Sequence, residues 1–148
     1  MEDSKRLENT ARIFATKLVH CVMQKYIPNW IPEVAIEDED DIFSDYVKSE
    51  INVICILNSL VVKWEIQENF VGKEETKMTF EKFCTRMSSI IQHEEENRER
   101  FLYYAAKLAK VAIYIYDNVV EAPDIAIGHI TNVLVARYPS LVQKIPDE

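Results

Sequence analysis

Apolar residues recur along this chain at steps of three and four, in stretches separated by proline, glycine or charged clusters, which predicts a succession of amphipathic helices. The first runs from Ser4, read as its N-cap, to about Tyr26, with Leu7, Ala11, Phe14, Leu18 and Cys21 or Val22 on one face. Pro28 and Pro32 end it, and the long loop that follows carries the like-charge run Glu37-Asp38-Glu39-Asp40-Asp41, expected to stay solvated. From Ser44 or Asp45 a single long helical pattern extends to about Phe70, with Val47, Ile51, Ile54, Leu57 or Asn58, Val61 and Glu65 on one stripe and further apolar residues beside it. So wide an apolar surface predicts burial on more than one side. Residues 71–77, polar and holding Gly72, read as a loop. Thr79 then caps a helix in which Phe80, Phe83, Cys84, Met87, Ile90 and Ile91 share a stripe.

After a polar stretch at 93–100, every residue from Phe101 to Tyr116 is hydrophobic except Lys107 and Lys110. Such a segment is about 24 Å long as a helix, too short for a bilayer core, and its two lysines add an insertion cost, so it reads as the buried central helix of a bundle. Asp117-Asn118 breaks it, Pro123 suits the first turn of another helix through Tyr138, and Pro139 leaves a short last helix around Leu141 to Lys144. Nothing alternates with period two for long enough to make a sheet. The fold class expected is therefore all-α, one domain over residues 1–148, with amphipathic helices wrapped around the hydrophobic central one.

Charge and composition narrow what such a bundle can do. Seventeen Lys and Arg against 25 Asp and Glu give a net charge of -8, which opposes nucleic acid and anionic membrane surfaces as partners. Only two glycines are present, so glycine-rich phosphate loops are missing. Cys21, Cys55 and Cys84 are odd in number and set in apolar runs, against a disulfide framework or zinc site and in favour of a reducing, cytoplasmic setting. His20, His93 and His129 share no helix, and Asn97 stands four residues after His93, where a zinc-protease helix needs its second histidine. Cys84 shares a stripe with Phe80 and Met87, which suits an inert thiol better than a nucleophile. No enzyme activity and no cofactor or metal is expected, and neither an export signal nor a transmembrane anchor is visible.

Thr79-Phe80-Glu81-Lys82-Phe83 opening one helix, and Asn97-Arg98-Glu99-Arg100-Phe101-Leu102 leading into the hydrophobic one, resemble the first homology motif of the Bcl-2 family of apoptosis regulators. The family's Asn and Arg stand at Asn97 and Arg100, while Arg98 and Glu99 replace its Trp and Gly. The stretch 130–143 is similar to the sixth helix and second homology motif, with Leu141-Val142-Gln143 where the family has Trp-Ile-Gln. Residues 7–26 and 45–70 resemble the first and second helices, so the likeness covers most of the chain as an order of helices.

The resemblance implies a Bcl-2-like bundle whose survival-promoting members sequester the amphipathic third-homology (BH3) helix of pro-apoptotic relatives in an apolar groove between the second, fourth and fifth helices. It implies Arg100 as the cation that pairs with the ligand's acidic residue, Asn97 as a hydrogen-bond partner of the same carboxylate, and Ile66, Phe70, Phe83, Met87, Phe101 and Tyr104 as pocket-lining residues. Helix-in-groove recognition needs this combination of apolar pockets and one anchoring charge. The nearest third-homology match of the chain itself, Leu60-Val61-Val62-Lys63-Trp64-Glu65, puts an indole where a small residue is required, so a pro-survival binder is expected rather than a killer. A short, divergent chain of this kind resembles viral members more than cellular ones, which implies an inhibitor of apoptosis in the host cytoplasm, reaching mitochondria through its partners. The alternative within the same fold is a viral protein that modulates innate immune signalling without a working groove. An empty groove is also an exposed apolar patch, so a homodimer that competes with ligand is a further expectation.

Overall fold

The computed structural model describes residues 2–32 and 43–142. The acidic run at 37–41 and the last residues of the chain, from 143, lie outside them, and with them the second half of the expected final helix. Among the described residues six α-helices follow in order: α1 Glu2–Met23, α2 Asp45–Leu57, α3 Ser59–Asn69, α4 Lys77–His93, α5 Arg98–Ile115 and α6 Ala122–Arg137, then a 3₁₀ turn Pro139–Leu141. No strand occurs among the described residues. The fold is all-α.

Helix α1 already includes Ser4, which is therefore not its cap, and it ends at Met23, with residues 24–26 in a turn. Its apolar face is buried as the spacing requires: Ala11, Ala15 and Leu18 are wholly inaccessible, against α5 and α6. A buried Leu contributes roughly 1.5–3 kcal/mol relative to an exposed one. Helix α5 is the central element, with ten buried residues from Phe101 to Ile115. It is not alone in this, because α6 also packs against three helices, α1, α4 and α5, and Pro123 stands in its first turn.

The long helix expected over 45–70 is two. Asn58 interrupts it with φ -108° and ψ 14°, while its side-chain amide donates to the Ile54 carbonyl at 2.9 Å. Asparagine competes with the backbone in this way, and here it ends one helix and begins the next. The apolar width of this segment is not absorbed by the core either. Val47 and Ile51 are buried, but Val53, Ile56, Leu57, Leu60, Val61 and Trp64 remain exposed.

Helix α3 ends at Asn69, and the turn after it holds Gly72, whose φ of 76° lies in the left-handed region where a side chain would be strained. The cap of α4 is Thr76 rather than Thr79. The two threonines bond reciprocally, Thr79 N to Thr76 Oγ1 at 3.2 Å and Thr76 N to Thr79 Oγ1 at 2.9 Å, so Thr79 fills the third position of the box.

Candidate functional site

Helices α4 and α5 meet α3 around an open cleft of about 730 Å³. Helix α4 contributes Met87, Ile90 and Ile91, α5 contributes Arg100, Tyr103, Tyr104 and Lys107, and Glu65 of α3 and Glu94 complete it. The positions on α5 are spaced 0, 3, 4 and 7, one face of a helix, and those on α4 continue to Glu94 with the same spacing.

The turn between these helices is tied down from α6. Arg137 donates through Nη1 to the Gln92 carbonyl and through Nη2 to the Glu94 carbonyl at 3.1 Å, which satisfies carbonyls at the end of α4. Tyr138 Oη accepts from Asn97 N at 3.2 Å. Asn97 Oδ1 accepts from Arg100 N at 3.0 Å and so caps α5. Its oxygen is thus engaged by its own helix, and the bond expected to a ligand carboxylate would have to come from the amide Nδ2–H instead. Asn97→Ala should cost about 1 kcal/mol of stability, the usual loss at an N-cap, measured by urea unfolding.

Two ion pairs border the cleft. Arg100 Nη1 lies 3.6 Å from Glu94 Oε2, with both side chains substantially exposed, so this surface pair is worth little by itself. Lys107 Nζ, mostly buried, lies 3.5 Å from Glu65 Oε1 and 3.8 Å from Met87 Sδ, and sits 4.7 Å above the Tyr103 ring. Lys107 thereby joins α3 to α5 along the cleft. Tyr103 Oη is buried and has no hydrogen-bond partner among the described residues. Burial, and secondarily the Glu65 carboxylate, push its phenol above the usual range.

Of the eight residues singled out from the sequence, Met87, Arg100 and Tyr104 line this cleft and the other five do not. Phe70, Phe83 and Phe101 are core residues. Phe70 and Phe83 meet edge to face with centroids 5.4 Å apart, and Phe101 packs on Tyr138 at 5.0 Å. Ile66 faces a smaller cleft of about 230 Å³ with Val62, Lys63 and Tyr114. The groove wall on this side comes from α3, the second half of the segment read as one helix. Missed were Glu65, Ile90, Ile91, Glu94, Tyr103 and Lys107. The signal for Ile90, Ile91, Tyr103 and Lys107 was present, since each lies three or four residues from Met87, Arg100 or Tyr104 on the same helix face.

A second polar feature runs from the surface into the core. Glu81 Oε1 is 3.1 Å from His129 Nε2, Ser88 Oγ is 3.4 Å from His129 Nδ1, and Ser88 Oγ is 2.7 Å from Tyr104 Oη. Carboxylate, imidazole and hydroxyl in series have the order of a hydrolytic triad. Ser88 is only 7% exposed, however, and its oxygen is engaged by the Tyr104 phenol, so the series satisfies buried polar groups where α4, α5 and α6 meet. Among the described residues, no group of three or more His, Cys, Asp or Glu is placed to hold a metal ion, and no helix is long and apolar enough to cross a membrane.

Burial raises the Cys84 thiol and the Tyr104 phenol well above their ordinary values of 9.0 and 10.0, with Glu81 adding to the first and the Ser88 hydrogen bond partly opposing the second. Both groups hold their protons more tightly folded than unfolded. The stability they contribute is complete below pH 9.0 and is lost as pH rises beyond it. Unfolding midpoints in urea should accordingly fall above about pH 9, and Cys84 should react with a thiol reagent far more slowly in the native chain than in the unfolded one.

Compared with known proteins, the chain matches no family model, no curated protein and no solved structure.

Proposed function

We propose that this protein is a helix-sequestering member of the Bcl-2 type, in which the cleft bounded by α3, α4 and α5 holds an amphipathic helix of the third-homology class from pro-apoptotic proteins. The observation that carries the reading is the cleft itself: apolar side chains from two helices along its length, open to solvent, with the guanidinium of Arg100 at its margin. Met87, Ile90, Ile91 and Tyr104 offer the apolar contacts that a guest's spaced hydrophobic residues require, and methionine adapts to guests of different shape. Arg100 pairs with the guest's acidic residue. In the empty protein its partner is Glu94, so binding exchanges one carboxylate for another, and the charge fixes orientation more than it adds affinity. Inhibition of apoptosis follows from holding such helices away from their targets.

Titration of the purified chain with a panel of third-homology peptides tests this. Sub-micromolar binding of at least one peptide is expected, together with competition among the peptides for one site. Absence of binding across the panel would remove the proposal.

A further inference from the structure

The outer side of α2 and α3 carries an apolar ridge that the cleft does not use. Leu57 and Leu60 are 76% and 77% exposed, Ile56 71% and Trp64 59%, with Val53 extending the line. Their spacing places them on one side of both helices, across the break at Asn58. Five large apolar side chains exposed side by side make a patch of the kind that marks an interaction site on a monomeric protein.

What flanks the ridge identifies the partner. Along one edge, two adjoining shallow clefts share Tyr26, Ser59 and Lys110; Lys25 and Ile56 line the first, Lys63 and Ile66 the second. Three lysines thus border the ridge, and no carboxylate lines either cleft. None of the three has an ion pair among the described residues, and Lys110 instead lies 5.5 Å above the Tyr26 ring. On the other edge, Glu50 and Glu65 are already held by Arg98 and Lys107. The net charge of -8 does not decide the matter, because charges more than about 10 Å away are largely screened at physiological salt.

We propose that this face docks onto an anionic lipid surface, with Leu57, Leu60 and Trp64 entering the interfacial layer and Lys25, Lys63 and Lys110 meeting phosphate or carboxylate headgroups. Protruding leucine and tryptophan with lysines alongside are what an interfacial binder needs, and each lysine adds to attraction by acidic lipid. A second copy fits less well. Antiparallel pairing of two ridges would set lysine edge against lysine edge, and parallel pairing would face the three lysines with Glu50 and Glu65, which are held elsewhere, and with Glu68 alone outside an ion pair among the described residues. The inference is independent of the cleft and of its ligand.

The test uses the tryptophans. Trp30 is buried, so Trp30→Phe leaves Trp64 as the sole reporter. Its emission should move to shorter wavelength on adding phosphatidylcholine vesicles enriched in phosphatidylserine, and hardly at all with phosphatidylcholine alone. Flotation of the unmodified chain with the same vesicles gives a second readout that does not depend on this variant. Lys25→Gln and Lys63→Gln should each weaken partitioning about fivefold, and Leu60→Asp, a surface change that leaves the core intact, should abolish it. Three results would overturn the proposal: neither an emission shift nor flotation with acidic vesicles, equal response to neutral and acidic vesicles, or light scattering that shows a dimer dissolved by Leu60→Asp.

Discussion

Reversing the charge of Arg100 with Arg100→Glu should weaken binding of a third-homology peptide by at least about tenfold while leaving the urea midpoint almost unchanged. The side chain is largely solvent-exposed and its pair with Glu94 is a surface pair, so the fold gains little from it. A guest carboxylate, by contrast, would meet repulsion in place of a charge-assisted hydrogen bond. The companion variant Glu94→Gln should act in the opposite direction. It frees Arg100 from the carboxylate it now faces, and affinity should rise by about two- to fivefold, in keeping with an exposed pair worth up to about 1 kcal/mol. Opposite signs from two residues 3.6 Å apart would locate the guest's acid at that guanidinium. Isothermal titration of both variants with the tightest peptide of the panel reads the effect.

Phe101→Ala should have the largest effect on stability, about 3–5 kcal/mol, without removing any wall of the cleft. Its ring is completely buried and packs on Tyr138 at 5.0 Å and Tyr104 at 5.9 Å. Truncation would leave a cavity where the start of α5 joins the end of α6, and would loosen the Tyr138 phenol that holds Asn97 N. Urea unfolding monitored by circular dichroism measures the loss. A cost below about 1 kcal/mol would mean that Phe101 is not the core residue described here. The same variant separates core from groove, since at temperatures where it stays folded its peptide affinity should be close to that of the parent.

These two residues also show how far the sequence could be read. Apolar spacing located α1, α4, α5 and α6 to within a turn, because each presents its apolar residues in one broad arc bounded by Pro, Gly or charged clusters. It could not separate α2 from α3, since apolar residues continue through Asn58 and only the local bond from its amide to the Ile54 carbonyl marks the break. Nor could it tell Thr76 from Thr79 as a cap, when each bonds the other's backbone.

The cleft was harder to read for a related reason. Phe70, Phe83 and Phe101 are large and regularly spaced, which is equally true of a core and of a pocket, and in the structure they belong to the core. The lining residues are mixed in character, with Ile90 half exposed and Lys107 and Glu65 paired, and a purely apolar criterion passes over such a face. Arg100 and Phe101 illustrate the point: neighbours in sequence, they lie about 100° apart around α5, one toward the cleft and the other toward the interior. Exposure of the ridge from Val53 to Trp64 was equally hidden, because a wide apolar surface in sequence looks the same whether a neighbouring helix covers it or not.

The most direct measurement of the central claim is an amide chemical-shift map of the isotope-labelled chain titrated with a third-homology peptide. Perturbations concentrated at Met87, Ile90, Ile91, Arg100, Tyr103 and Lys107, with α1 and the exposed ridge of α2 and α3 unmoved, are the result expected of a guest helix in the cleft. Saturable binding whose perturbations fall on α1 or α6 and spare those six residues would contradict it.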